Sequence, residues 1–235
     1  MINNIYNDDC FEVLPKIENK TVDLVLVDLP YGQTACEWDV KIDLQMMWKE
    51  LKRICKDNCQ YVFFTTTKFG IELINSNPKW FRYDLIWDKC KTIGYLSANK
   101  MPLRCHEMIY IFNNRKATYN PQKTPGKPYK VKEHNSVKDV YGRTRIPTTE
   151  NKTGDRHPIS IIKCHQSGEK LHRTQKPLEL CEWLIKTYSN ENDICLDFCM
   201  GSGTTIQACI NTNRRYIGVE KDKDIYETAK KRLNI

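Results

Sequence analysis

The feature that most constrains the fold is the apolar run Val22-Asp23-Leu24-Val25-Leu26-Val27 and the way it stops. Such a run reads as a strand buried on both faces, the habit of strands in a parallel sheet. It ends abruptly in Asp28-Leu29-Pro30-Tyr31-Gly32-Gln33. In open α/β sheets ligands bind just beyond the carboxyl ends of the strands, so an acid and an aromatic ring placed there face a crevice. The plainer alternative is a type I or II turn with an incidental tyrosine, and this stretch alone does not separate the two.

Periodicity supplies the rest of the frame. Ile2 to Tyr6, Tyr61 to Phe64, Phe81 to Trp87, Glu107 to Phe112, Ile194 to Phe198 and Arg215 to Val219 read as strands, making seven with Val22 to Val27. Helices are expected from Phe11, from Asp39 or Asp43 through Cys55, from Lys68 to Ile74, after Pro177, from Ile206 to Ile210 and from about Lys223 to Leu233. Leu44, Met47, Trp48, Leu51 and Ile54 recur at three- and four-residue spacing and belong to the core. Alternating strands and helices imply a mostly parallel, doubly wound sheet.

From Tyr119 to Gly168 that pattern lapses: five prolines and no clear period occupy a stretch too long for an ordinary connection. The charge is concentrated in the same part of the chain. Residues 89–173 hold eighteen Lys and Arg against six Asp and Glu, while the remainder of this +8 chain is net acidic. Basic residues interleaved with Tyr, Asn, Gln and Gly suit a phosphate backbone; the alternative is a lysine-rich solvated loop. No run approaches the roughly 18 apolar residues of a spanning helix and Met1 leads straight into polar residues, so a cytoplasmic protein without membrane association is expected. The eleven cysteines include no paired C-x-x-C sets. Reduced, buried thiols are expected rather than disulfides, and no metal site is assigned.

A second motif lies near the carboxyl end. The strand ending in Asp197-Phe198 runs into Cys199-Met200-Gly201-Ser202-Gly203-Thr204-Thr205, and the next strand ends in Glu220. Glycines let backbone approach a ligand, and an acid after the following strand accepts hydrogen bonds from ribose hydroxyls. The third glycine of the dinucleotide fingerprint and the lysine of a phosphate loop are both missing, which disfavours NAD and ATP. Asp197 also has a plain role, bracing the turn.

Together, Asp28-Leu29-Pro30-Tyr31, a basic insertion, His172-Arg173-Thr174-Gln175-Lys176-Pro177 and Asp197-Phe198-x-x-Gly201-Ser202-Gly203-Thr204 resemble the β-class DNA amino-methyltransferases of phage and bacterial type, which act on adenine N6 or cytosine N4. The resemblance covers nearly the whole chain outside the insertion. It implies a Rossmann-like seven-stranded methyltransferase sheet in circularly permuted order, with Ile2 to Tyr6 as the cofactor strand that follows Glu220. The implied organisation is a catalytic half over residues 1–90, a target-recognition insertion over 91–168 and a cofactor half over 169–235.

The cofactor so implied is S-adenosylmethionine, held by Asp9, Thr174, Gln175, Lys176, Asp197, Phe198, Gly201, Ser202, Gly203, Thr204, Thr205 and Glu220. Asp8 is adjacent and able to exchange roles with Asp9, and either acid also suits a helix cap. The implied partner is double-stranded DNA, with restriction-modification as the setting and a homodimer as a frequent assembly.

By the same resemblance an adenine is flipped out of the duplex. Its amine hydrogens are accepted by the Asp28 carboxylate and the Leu29 carbonyl, with Pro30 stiffening the loop and Tyr31 stacking on the base. The family more often has Pro where this chain has Leu29, but only a backbone carbonyl is needed there. Asp at position 28 favours adenine over cytosine, whose methylases more often carry Ser. Arg104, Asn120, Arg143 and Arg145 are the side chains in the insertion suited to reading base edges. Cytosine N4 or RNA methylation by the same machinery, or a DNA-binding module without catalysis, are the competing expectations.

Overall fold

The computed structural model describes residues 1–32, 41–132, 148–165 and 175–235. Residues 1–120 with 160–235 form one compact unit, and residues 121–159 form another.

The larger unit is built on one mixed sheet of eight strands: β1 (Asn4–Asn7), β2 (Val22–Asp28), β3 (Cys55–Thr65), β4 (Phe81–Ile93), β5 (Arg104–Phe112), β8 (Ile161–Lys163), β9 (Ile194–Asp197) and β10 (Arg215–Glu220). Their order is β1-β10-β9-β2-β3-β5-β4-β8, and only β5 runs against its neighbours. All seven expected strands are present; the eighth, β8, was not expected. Three residues carry too little alternation to read as a strand, and β8 forms only because Ile161, Ile162 and Lys163 add to the edge of β4.

Period-two alternation along β2 gives each face its own core. Val25, Val27 and Leu29 pack with Val13, Met47, Trp48, Leu51 and Phe69; Leu24 and Leu26 pack with Leu180, Leu184, Ile206, Ala229 and Leu233 on the other side. The first face is covered by helices α1 (Cys10–Val13), α2 (Leu44–Ile54) and α3 (Thr67–Ser76), the second by α4 (Leu178–Tyr188), α5 (Thr204–Asn211) and α6 (Lys223–Leu233). Asp43 caps α2, its Oδ1 accepting from the Gln45 and Met46 amides; Asp39 lies outside the described residues. Among those residues no helix is long and apolar enough to cross a membrane, and the described cysteines are free thiols, six of them buried.

The smaller unit holds two further strands, β6 (Tyr129–Val131) and β7 (Thr149–Asn151), paired antiparallel. Arg156 ties the unit together, donating to the Lys127 carbonyl at 2.6 Å and lying 4.7 Å above the Tyr129 ring. Gly154 has φ +83°, and a Cβ there would strike the Gly126 carbonyl, so this close backbone crossing requires glycine.

Candidate active site

Three neighbouring parallel strands end in acids: Asp28 on β2, Asp197 on β9 and Glu220 on β10. Strand β1, with Asn7 opposite Glu220, leads directly to Asp8 and Asp9. The order β1-β10-β9-β2 therefore lines up Asp9, Glu220, Asp197 and Asp28 along the carboxyl edge of the sheet.

Both oxygens of Asp28 are engaged. The Tyr31 hydroxyl donates to Oδ1 at 2.7 Å, and the Lys176 ammonium sits 2.5 Å from Oδ2. Tyr31 is held in turn against Phe69, ring centroids 5.1 Å apart. Leu29 buries its side chain in the core, so only its backbone serves the loop. That explains physically how a leucine is accommodated at this position.

Lys176 brings the last expected segment onto Asp28 rather than onto the glycine turn. Its ammonium also stands 3.3 Å from Glu107 Oε2 and 5.1 Å from the Phe64 ring centroid, and Glu107 Oε1 pairs with Lys89 at 2.5 Å. Two carboxylates and two ammonium groups thus alternate in one chain. Burial would lower the Lys176 pKa, but Asp28 and Glu107 outweigh it and hold it above the ordinary lysine value. Burial would raise Glu107, but Lys176 and Lys89 hold it below the usual carboxylate range. Lys176 is therefore a fixed cation and not a proton acceptor.

Glu107 and Lys89 were missed from the sequence. The available signal was a lone acid opening the apolar stretch Met108-Ile109-Tyr110-Ile111-Phe112 of an inner strand; a carboxylate there needs a cation.

The glycine turn is tied to β10 by hydrogen bonds. Met200 N–H donates to the Val219 carbonyl, and Gly201 N–H donates to Glu220 Oε2, each at 2.9 Å. Glu220 Oε1 accepts from Asp222 N–H at 2.8 Å, and burial raises the Glu220 pKa. Gly201 (φ +52°) faces open space, whereas a Cβ at Gly203 (φ +79°) would lie 3.2 Å from Leu233. Ser202 and Thr204 are buried, and Arg232 reaches both, donating to Thr204 Oγ1 at 2.8 Å. Phe198 sits in the core.

Asp197 accepts from Cys199 N–H at 3.1 Å and is also hydrogen-bonded by Thr205; only 3% exposed, it is pushed up to about 7 by burial. Asp9 caps α1 through Phe11 N–H and pairs with Lys221 at 2.9 Å, and these contacts outweigh burial and lower its pKa. Gln175 is half-buried, and Thr174 lies outside the described residues.

Of the four residues expected to read bases, Arg104 is exposed at the start of β5. Asn120 is spent elsewhere: its amide donates to the Lys186 and Ser189 carbonyls and to Asn190 Oδ1, closing the end of α4. Arg143 and Arg145 lie outside the described residues.

A family model described as a DNA methylase, of N6/N4 type, matches residues 22–231. The chain belongs to this N6/N4 DNA methylase family. It is similar to the type II methyltransferase M1.MboII of Moraxella bovis, 28% identical over 256 residues covering 99% of this chain and 97% of that protein. M.HindIII of Haemophilus influenzae is 24% identical over 306 residues, covering 100% and 96%. Among solved structures, the M1.HpyAVI–SAM complex matches with TM-score 0.66 at 23% identity over 99% of both chains. The cytosine-N4-specific PvuII DNA methyltransferase matches with TM-score 0.70 at 13% identity over 96% of this chain and 84% of that one. The protein is an S-adenosylmethionine-dependent DNA methyltransferase.

Proposed function

We propose that the chain methylates the N6 amine of an adenine flipped out of duplex DNA. The observation that carries this is the Asp28 carboxylate at the end of β2, fixed by Tyr31 on one oxygen and Lys176 on the other.

The glycine turn suits S-adenosylmethionine: Gly201 borders open space, and Glu220, Asp197 and Asp9 stand around it as acceptors for ribose hydroxyls, amines and ring nitrogens. Gly201, Ser202 and Gly203 would supply the backbone cradle, with Thr204, Thr205, Phe198 and Gln175 shaping it. Bound there, the cofactor supplies an electrophilic sulfonium methyl group.

The chain's own residues prepare the acceptor. The adenine amine is a poor nucleophile because its lone pair is delocalised into the ring. Asp28 and the Leu29 carbonyl accept its two hydrogens, turning the lone pair out of the ring plane, and Tyr31 and Pro30 bound the base. Lys176 holds Asp28 oriented through its contact with Oδ2; the amine proton leaves toward Asp28 only as the nitrogen becomes cationic. The sheet is the family's seven strands in permuted order plus the β8 edge, and residues 91–168 serve target recognition, with Arg104, Arg143 and Arg145 as its base-reading arginines. A homodimer is the assembly expected in solution.

The test is transfer of labelled methyl from S-adenosylmethionine to unmethylated duplex DNA, followed by nucleoside digestion and mass spectrometry. N6-methyladenine that disappears in Asp28→Ala supports the proposal; label on cytosine N4 replaces it.

A further inference from the structure

We infer that the β4–β5 hairpin tip, Tyr95 and Leu96, enters the base stack of duplex DNA beside the base that leaves it. The inference rests on the proposed DNA methylation, and begins with where this hairpin lies. Asp28 pairs in register with Phe64, Phe64 with Ile109 and Ile109 with Leu85, so one line across the sheet joins Asp28 to the middle of the hairpin. From that line β5 runs back to Arg104, five residues or roughly 16 Å at strand rise, and β4 runs on to Ile93. The tip therefore stands beyond the same carboxyl edge that carries Asp28.

The tip is built to present apolar groups. Tyr95 is 78% exposed, Leu96 84% and Met101 60%. They do not sit on a slack loop. Gly94, at φ +86°, turns the chain; Ser97 N–H donates to the Gly94 carbonyl at 2.9 Å, Ala98 N–H to Tyr95 at 3.0 Å and Lys100 N–H to Ser97 at 2.9 Å. Holding large side chains in water on a hydrogen-bonded turn lowers the ordering cost of inserting them elsewhere. Apolar wedges between base steps are a recurring device for unstacking and kinking DNA, and a tyrosine ring also has a face to offer a base.

Charge identifies the occupant. Lys91, Lys100 and Arg104 flank the tip, and no Asp or Glu occurs from Lys89 through His106. Phosphates on either side of an opened step match this arrangement. A two-fold contact of the tip with a second copy would set those cations against each other, because such contacts pair a surface with itself.

The experiment uses the full chain, with Tyr95→Ala/Leu96→Ala and Tyr95→Phe variants, and labelled methyl transfer to unmethylated plasmid DNA, either duplex or heat-denatured. The double variant is expected to lose at least tenfold in rate on duplex while changing less than about threefold on denatured DNA, where no stack needs opening. Tyr95→Phe retains most of the duplex rate. Where denatured DNA is no substrate for the wild type, permanganate reactivity of thymines in bound duplex replaces it. Reactive thymines seen with wild type then vanish with the double variant at equal occupancy. Equal loss on both DNAs, or none on either, overturns the inference. So does light scattering that finds a wild-type dimer which the double variant dissociates, since the tip then contacts a second copy. Absence of transfer by the wild type to any DNA shows up before variants are compared, and removes the underlying reading together with this one.

Discussion

The Lys176 ammonium lies 2.5 Å from Asp28 Oδ2, joining residues 148 positions apart at the centre of the proposed active site. With its pKa held above the ordinary lysine value, it acts on Asp28 as a permanent charge. Lys176→Gln keeps a hydrogen-bond donor but removes that charge. A charge-assisted hydrogen bond contributes about 1.5–3 kcal/mol, so kcat is expected to fall about ten- to hundredfold. The KM for S-adenosylmethionine should stay within about twofold, because binding is not where Lys176 acts. Steady-state kinetics separate the two: a raised KM with unchanged kcat would return Lys176 to the cofactor.

Glu107 anchors the other side of Lys176 and pairs with Lys89. Its carboxyl, held below the usual range, contributes stability that is present above the unfolded value and is lost as pH falls through the lower folded value. Glu107→Gln removes the carboxylate that both Lys89 and Lys176 face. Breaking a fully buried pair costs about 3–5 kcal/mol; for this partly exposed one about 1–2 kcal/mol is expected at pH 7. Melting curves of both proteins should differ by about 2–8 °C at neutral pH and converge as pH falls below the usual carboxylate range. A gap that persists unchanged into acid would mean that shape, not charge, is the source.

What the sequence disclosed and what it hid follow from range. Val22 to Asp28 and Cys199 to Thr205 are legible because apolar period and turn glycines are local properties, and Glu220 because it closes the adjoining strand. Lys176 was noticed for its motif but not for its partner, since nothing within a few residues of it specifies Asp28. Glu107 meets Lys176 only because β5 is inserted antiparallel between β3 and β4. Asn120 looked like a base reader, as an asparagine in a basic region does. Its real partners, the carbonyls ending α4, lie more than sixty residues away. β8 has no local signal at all: it exists as an addition to β4.

Asp197 gives a dependence of the opposite sign. Burial raises it to about 7 from an ordinary value near 3.8, so between those values the folded chain binds the extra proton. Stability of the cofactor-free protein should therefore fall as pH rises from about 4 to about 7, by at most about 4 kcal/mol. Asp197→Asn cannot ionise and should flatten that slope. Urea unfolding at pH 5 and pH 8 for both proteins measures it. Equal slopes would show that Asp197 is ionised throughout.

Gly218 links the packing beneath the turn to cofactor binding. It lies on β10 between β1 and β9, where a Cβ would come 2.6 Å from Met200 Sδ, 2.9 Å from Ile5 Cγ2 and 3.0 Å from Ile206 Cδ1. All three are buried in one cluster, so none can withdraw without disturbing its neighbours. Gly218→Ala is expected to cost about 1–3 kcal/mol by overpacking, lowering the melting temperature by about 2–12 °C. Met200 is the softest of the three neighbours and also the residue before Gly201, its N–H bound to the Val219 carbonyl. Relief of the clash by moving Met200 therefore shifts the turn, and calorimetry should find S-adenosylmethionine bound several-fold more weakly. Adding Met200→Ala to Gly218→Ala opens the space and should recover part of both losses. If stability returns while affinity does not, Met200 itself shapes the turn; if neither returns, Ile5 and Ile206 are the rigid walls.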